Sequence, residues 1–224
     1  MSKFTINRAI VSLIIVVSAF TLKGQDFELT NGDLLFQDLD CGPFCDAIEK
    51  VTEGYRGAQL SHVGIAYFNE NQWKVIEAGS NGVVITALSD FLIRSKDDQM
   101  KPKVLVGRIK NLEASVAGES SKNALAFLGS AYDDGFDIEN KKYYCSELVY
   151  YSFLNQKKPI FIINPMTFVN PETKVTFNLW VDYFNDLKME IPEGKLGLNP
   201  GGLSRSEYVE IVHFYGNPDG FNAL

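Results

Sequence analysis

From Tyr143 to Phe153 the chain reads Tyr-Tyr-Cys-Ser-Glu-Leu-Val-Tyr-Tyr-Ser-Phe, a polar entry into a helix that is apolar on almost every side. Leu148 and Ser152, and Val149 and Phe153, stand four residues apart, and Leu148 and Tyr151 three apart, so each pair shares a helical face. A helix that is apolar all round has to be enclosed by other elements, so the rest of the chain must build a core around this segment. Cys145 falls where the helix begins. The free N–H groups and the positive dipole end there favour an anion, and a thiol so placed ionises more easily than a free one, whose pKa is about 8.5. Two readings of Cys145 stay open on these residues alone: the thiolate nucleophile of a cysteine amidase, or a buried structural thiol, since free cysteine is among the most buried residue types.

A chain of 224 residues, 46% of them hydrophobic, is long enough to enclose such a helix in one sizeable core. Its formal net charge of −7 argues against nucleic acid and against an anionic membrane surface as partners. Not all of the chain is expected in that core. Residues 1–24 read as an export leader: Lys3 and Arg8 give a basic start and Ala9 to Leu22 is nearly all apolar, about the length of a signal core and short for a membrane span of ~20 residues. An uncleaved N-terminal anchor is the alternative. The expected division is therefore a signal peptide over residues 1–24 and a single domain over 25–224, exported to the periplasm or the extracellular space, with no stable membrane insertion once the leader is removed. Three cysteines leave one over. Cys41 and Cys45, separated by Gly42-Pro43-Phe44, are placed to close a small disulfide in an oxidising compartment and leave Cys145 free. A zinc site is disfavoured, with only two histidines and no second cysteine pair, and two packed thiols are the third option.

Taken in order, Gly32–Gln37 reads as a strand, Asp46–Thr52 as a short helix, and Ser61–Phe68 as a strand that turns at Asn69–Gln72 into a second strand, Trp73–Ala78. The register of this hairpin follows from its turn. If Phe68 pairs with Trp73, Gly64 faces Glu77, and His62 lies on the same side of the sheet as Gly64. His62 and Glu77 then become diagonal cross-strand neighbours ~7–8 Å apart at Cα, with Gly64 leaving the gap between them open. A carboxylate beside a histidine orients the ring and stabilises its charged form. One extra turn residue would move Glu77 to the other face. Further on, Val83–Thr86 and Val104–Ile109 read as strands, Asp90–Arg94 as helical, and Val116–Leu128 as a helix with Ala124, Phe127 and Leu128 on one face. Tyr132–Lys142 is a polar loop that delivers the chain to Cys145. Trp180, Tyr183, Phe184 and Leu187 have helical spacing and are expected in the core, and Val209–Phe214 reads as a strand or a helix end.

Gly32-Asp33-Leu34-Leu35-Phe36, Ser61-His62-Val63-Gly64-Ile65 and Tyr144-Cys145-Ser146-Glu147-Leu148-Val149, in that order, resemble the YiiX group. These are circularly permuted papain-like amidases of the NlpC-type superfamily, and the resemblance spans roughly Asp26 to Val212. It implies an α+β papain-like fold, with an antiparallel sheet packed against the nucleophile helix and the histidine strand preceding the cysteine. It also implies Cys145 as nucleophile, His62 as base and Glu77 as the third polar residue, with no metal or organic cofactor. Cell-wall peptidases of the NlpC type usually carry Asp before the cysteine, where it helps bind the free amine of a stem peptide. Here that residue is Tyr144, and an aromatic there suits an apolar acyl chain as well as a peptide. Tyr144 and Tyr132 are accordingly the candidate substrate-binding residues. The expected activity is hydrolysis of an amide in a cell-wall peptide or an N-acyl amide. The alternatives are a lipid acyltransferase or thiol esterase with the same Cys and His, and a non-catalytic binding protein.

Overall fold

The computed structural model describes residues 27–110 and 114–223; the expected leader at 1–24 lies outside them. Six strands form one antiparallel sheet in the order β10-β5-β1-β2-β3-β4. They are β1 (Leu34–Gln37), β2 (His62–Asn69), β3 (Gln72–Gly79), β4 (Gly82–Ala87), β5 (Val104–Ile109) and β10 (Val209–Phe214). Helix α1 (Pro43–Val51) lies between β1 and β2, and α2 (Leu88–Leu92) between β4 and β5. After β5 come α3 (Ala114–Leu125), α4 (Cys145–Ser152), α5 (Asn178–Leu187) and α6 (Pro200–Ser204), with the two-residue pairs β6 (Leu154–Asn155) with β7 (Lys158–Pro159) and β8 (Asn164–Pro165) with β9 (Leu196–Gly197) between them. This is the expected α+β arrangement, and among the described residues no helix is long and apolar enough to cross a membrane.

The apolar helix is enclosed as its sequence demands. Leu148 and Val149 are fully buried and pack with Phe36, Val63, Ile65 and Ile76, which alternate onto one face of the sheet. The opposite face carries Leu35, Ala66, Val75 and Val104, covered by Phe91 of α2. A third cluster, around Phe136, Phe168, Trp180 and Phe184, joins α5 to the loop that leads into α4; Tyr183 and Leu187 are partly buried against it.

The β2–β3 hairpin has the register read from its turn: Asn69 pairs with Gln72, Phe68 with Trp73 and Gly64 with Glu77. Its two central residues, Glu70 and Asn71, both take positive φ (52° and 58°), the backbone of a two-residue turn whose twist matches that of the strands. One detail differs. The space beside Gly64 is not empty, because a Cβ there would collide with Val75 Cγ1 and touch the Phe91 ring. Glycine is needed because the neighbours already fill the site.

Other boundaries shift for identifiable reasons. α1 starts at Pro43 rather than Asp46, since proline is pre-set for the first helical turn. α2 ends at Leu92, so Arg94 lies beyond it. α3 ends at Leu125 rather than Leu128: Ala126, Phe127 and Leu128 donate to carbonyls three residues back, a tighter winding that leaves Leu128 41% exposed. Cys41 and Cys45 form a disulfide, and Cys145 is the free cysteine.

Candidate active site

His62 is the first residue of β2 and Cys145 the first of α4. α4 packs on the face of Val63 and Ile65, whereas His62 and Glu77 alternate to the other face. Cys145 and His62 can meet because both stand at the ends of their elements, where a side chain reaches around the end of the sheet. The Cys145 thiol and the His62 ring are close enough to shift each other's titration. His62 Nε2 lies 2.6 Å from Glu77 Oε2, which leaves Nδ1 for the sulfur. Both residues are nearly closed off from solvent, His62 at 7% exposure and Glu77 at 2%.

Two further residues hold Glu77. Arg94 grips it at two points, Nη1 to Oε2 at 2.7 Å and Nη2 to Oε1 at 2.5 Å, and the Thr86 hydroxyl donates to Oε1. Fork-on-fork pairing of this kind fixes geometry as well as charge. Neither Arg94 nor Thr86 emerged from the sequence. The signal was in principle there for Thr86, since it pairs with Val75 and so lies diagonal to Glu77 on the same face. Arg94 reaches Glu77 from the irregular segment after α2, which no periodicity predicts.

The electrostatics follow from these contacts. Burial raises the Glu77 carboxyl, but His62, Arg94 and Thr86 outweigh it and hold the group down at about 2. Burial lowers His62, but Cys145 and Glu77 outweigh it and lift the ring from 6.5 to about 9. Burial raises the Cys145 thiol; the neighbouring His62, the Ser146 hydroxyl 3.9 Å away and the Val63 backbone bring it below its ordinary value. Both shifts favour the thiolate–imidazolium form of the pair over the neutral one. Because the folded His62 pKa exceeds the unfolded one, the stabilisation it gives is complete below about 6.5 and is lost as pH rises through about 9. The Glu77 contribution is present above about 4.5 and is lost as pH falls through about 2.

The pair lies in the wall of a cleft of about 1040 Å³. Phe44 and Ile48 of α1, Met166, Phe168 and Trp180 make much of its lining apolar. Tyr132 lines it half-buried, its hydroxyl kept neutral by burial and by the Cys145 charge. Tyr144 also lines it but is 3% exposed, and its hydroxyl accepts the Leu198 N–H at 3.1 Å. The other histidine, His213, is not brought to this site: it stacks on Phe27 with ring centroids 4.1 Å apart and meets Tyr215 edge-on.

Among the described residues, the carboxylates with spacing for a metal ion are Asp38, Asp40 and Asp219. The Lys103 ammonium sits among them, 3.1, 2.7 and 3.0 Å from their oxygens. It supplies the positive charge such a cluster needs and ties the C-terminal segment to the exit of β1.

The grip on Glu77 has a measurable consequence. Glu77→Gln is expected to keep the fold and lower turnover by up to about 10⁴-fold, the scale seen when the carboxylate that orients a reacting histidine is replaced by its amide. Arg94→Gln should cost less. The double variant should lose little more than Glu77→Gln alone, because Arg94 acts through that carboxylate. Steady-state rates of the three variants check this; additive losses, or unchanged turnover in Glu77→Gln, contradict it.

A family model described as permuted papain-like amidase enzyme, YaeF/YiiX, C92 family, matches residues 28–213. A crystal structure titled metalloprotein yiiX, from Escherichia coli O157:H7, aligns with a TM-score of 0.69 at 20% identity, covering 86% of this chain and 100% of that one. No curated protein matches the chain.

Proposed function

Since the chain belongs to the permuted papain-like amidases, we propose that it is an exported cysteine hydrolase of amide bonds, with Cys145 as nucleophile, His62 as acid–base and Glu77 orienting His62. The observation that carries this reading is the line Cys145–His62–Glu77 in the wall of a cleft, with His62 hydrogen-bonded to Glu77 and acting on the thiol on its other side. A buried thiol with a merely structural role has no need of a histidine that is itself fixed by a carboxylate.

In the ion pair the thiol proton already resides on His62. The thiolate attacks the substrate carbonyl, forming a C–S bond and a tetrahedral oxyanion. The Cys145 backbone N–H at the start of α4 is placed to donate to that oxyanion, and one such donor is typically worth ~10²–10³ in rate. The intermediate collapses as the C–N bond breaks and the amine leaves with the proton from His62. His62, now neutral, takes a proton from water. The resulting hydroxide attacks the thioester, the acid departs, and the thiolate–imidazolium pair is restored.

The substrate proposal rests on the wall of the cleft. Phe44, Ile48, Phe168 and Trp180 suit an apolar group beside the scissile bond. Tyr144, with its hydroxyl already committed to Leu198, offers no carboxylate for a stem-peptide amine. N-acyl amides are therefore favoured over cell-wall peptides. Export is supported by the apolar leader sequence and by the Cys41–Cys45 disulfide, which suits an oxidising compartment. The test is a panel of γ-glutamyl peptides, N-acyl amino acids and phospholipids, with products identified for the wild type and for Cys145→Ala. Release of fatty acid from N-acyl amino acids by the wild type alone is expected. Cleavage confined to γ-glutamyl bonds would overturn the substrate assignment. Acyl transfer to an added amine outrunning hydrolysis would make the protein a transferase.

A further inference from the structure

Glu147 is the third residue of α4 and is fully buried, two positions after Cys145. Its Oε2 accepts the Tyr144 backbone N–H at 3.3 Å, and its Oε1, also buried, has no partner. Among the described residues it makes no ion pair, although several elements pack on α4. α3 brings Glu119 and Lys122 and β7 brings Lys158, none of them paired with Glu147. β3 brings Lys74, which is paired with Glu70, and Glu77, which is held by His62 and Arg94. β2 brings His62, engaged with Cys145 and Glu77, and α6 (Pro-Gly-Gly-Leu-Ser) brings no charge. The preceding loop carries four acids and two lysines; Asp133 and Asp137 act on Glu147, while Lys141 and Lys142 are exposed and make no ion pair with it. The remaining titratable neighbours are the hydroxyls of Tyr143, Tyr144 and Tyr151. An ionised carboxylate enclosed in this way, with one oxygen unsatisfied and acids for neighbours, carries a desolvation cost that the single Tyr144 N–H offsets only in part.

We propose that Glu147 acts in this protein as a neutral carboxylic acid, a positioning residue that caps the nucleophile helix without charge and leaves the positive end of α4 to the Cys145 thiolate alone. The inference rests on the reading of Cys145 as a thiolate nucleophile. A helix N-terminus supports one nearby anion well; a second, two residues from the first, raises the pKa of both. A glutamate at this position of an exposed helix is an ordinary ionised cap. Burial makes it something else here, and in keeping with that, burial, Asp133 and Asp137 lift its carboxyl to about 8.

The test compares wild type with Glu147→Gln, which keeps shape and acceptor and is neutral at every pH. Two readings are taken: the pH profile of Cys145 alkylation by iodoacetamide, and the melting temperature across pH. If Glu147 is already neutral where Cys145 titrates, the acid limb of alkylation coincides in the two proteins to within ~0.2 pH unit. The melting temperature of Glu147→Gln should also gain on wild type as pH rises from about 4.5 to about 8, because the native carboxyl holds a proton that the unfolded one releases. An acid limb displaced downward by ~0.5 unit or more in Glu147→Gln means a charge was removed, and overturns the proposal while leaving Cys145 as nucleophile. A wild type with no low-pH reactivity at all overturns both. Should Glu147→Gln fail to fold, carboxyl-carbon titration of glutamate-labelled wild type decides. A Glu147 resonance titrating in the neutral range is expected; one titrating in the ordinary carboxylate range overturns the proposal.

Discussion

Cys145→Ala is expected to fold like the wild type and to lose amide hydrolysis by roughly 10⁴–10⁶-fold, the scale seen when the nucleophile of a catalytic unit is removed. The fold should survive because the substitution deletes one sulfur from the wall of an open cleft, while the apolar faces that hold α4, Leu148 and Val149, are untouched. The rate should not survive, because no other described thiol is free to replace it: Cys41 and Cys45 are bonded to each other. The same fact supplies a second reading by mass. Under non-reducing conditions, wild type should take up a single carbamidomethyl group from iodoacetamide and Cys145→Ala none. Peptide mapping that placed Cys145 in the dominant disulfide of active protein would contradict the chemistry and the pairing together.

The hairpin was readable in advance because a β-sheet has a period of two and a two-residue turn fixes the pairing. Once Asn69 faces Gln72, the position of Glu77 relative to His62 is a matter of counting. The enclosure of α4 was readable for a similar reason, since a helix without a polar face has nowhere to go but inside. Arg94 could not be found this way. It acts from a stretch without periodicity, and its role exists only once β3, β4 and the segment after α2 are side by side. Glu147 illustrates the opposite failure. Its place in the sequence is that of an ordinary helix cap, and only the three-dimensional burial of both carboxyl oxygens gives it another meaning. The gap read beside Gly64 failed because a sequence shows which side chain is missing but not which neighbour has moved into the space.

The protein has two histidines, and removing either gives opposite expectations. His62→Ala should abolish turnover and take the Cys145 thiol up to its ordinary value or beyond, because burial still disfavours the thiolate while the imidazolium that offset it is gone. With an ordinary thiol pKa of about 8.5, alkylation near pH 6 should then slow on the order of 10²-fold. His213→Ala should leave both properties nearly unchanged. His213 sits on β10 at the edge of the sheet, stacked on Phe27, and no carboxylate among the described residues is bonded to it. Burial alone acts on its ring, pushing its pKa below the ordinary value, the reverse of what a partner to a thiolate requires. Its loss should appear only as a modest fall in stability, from the missing contact with Phe27. The measurement is the pH profile of alkylation for the two variants side by side. Low-pH reactivity that persists in His62→Ala and vanishes in His213→Ala would place the base after the nucleophile, in the unpermuted order, and the mechanism derived from β2 and α4 would fall with it.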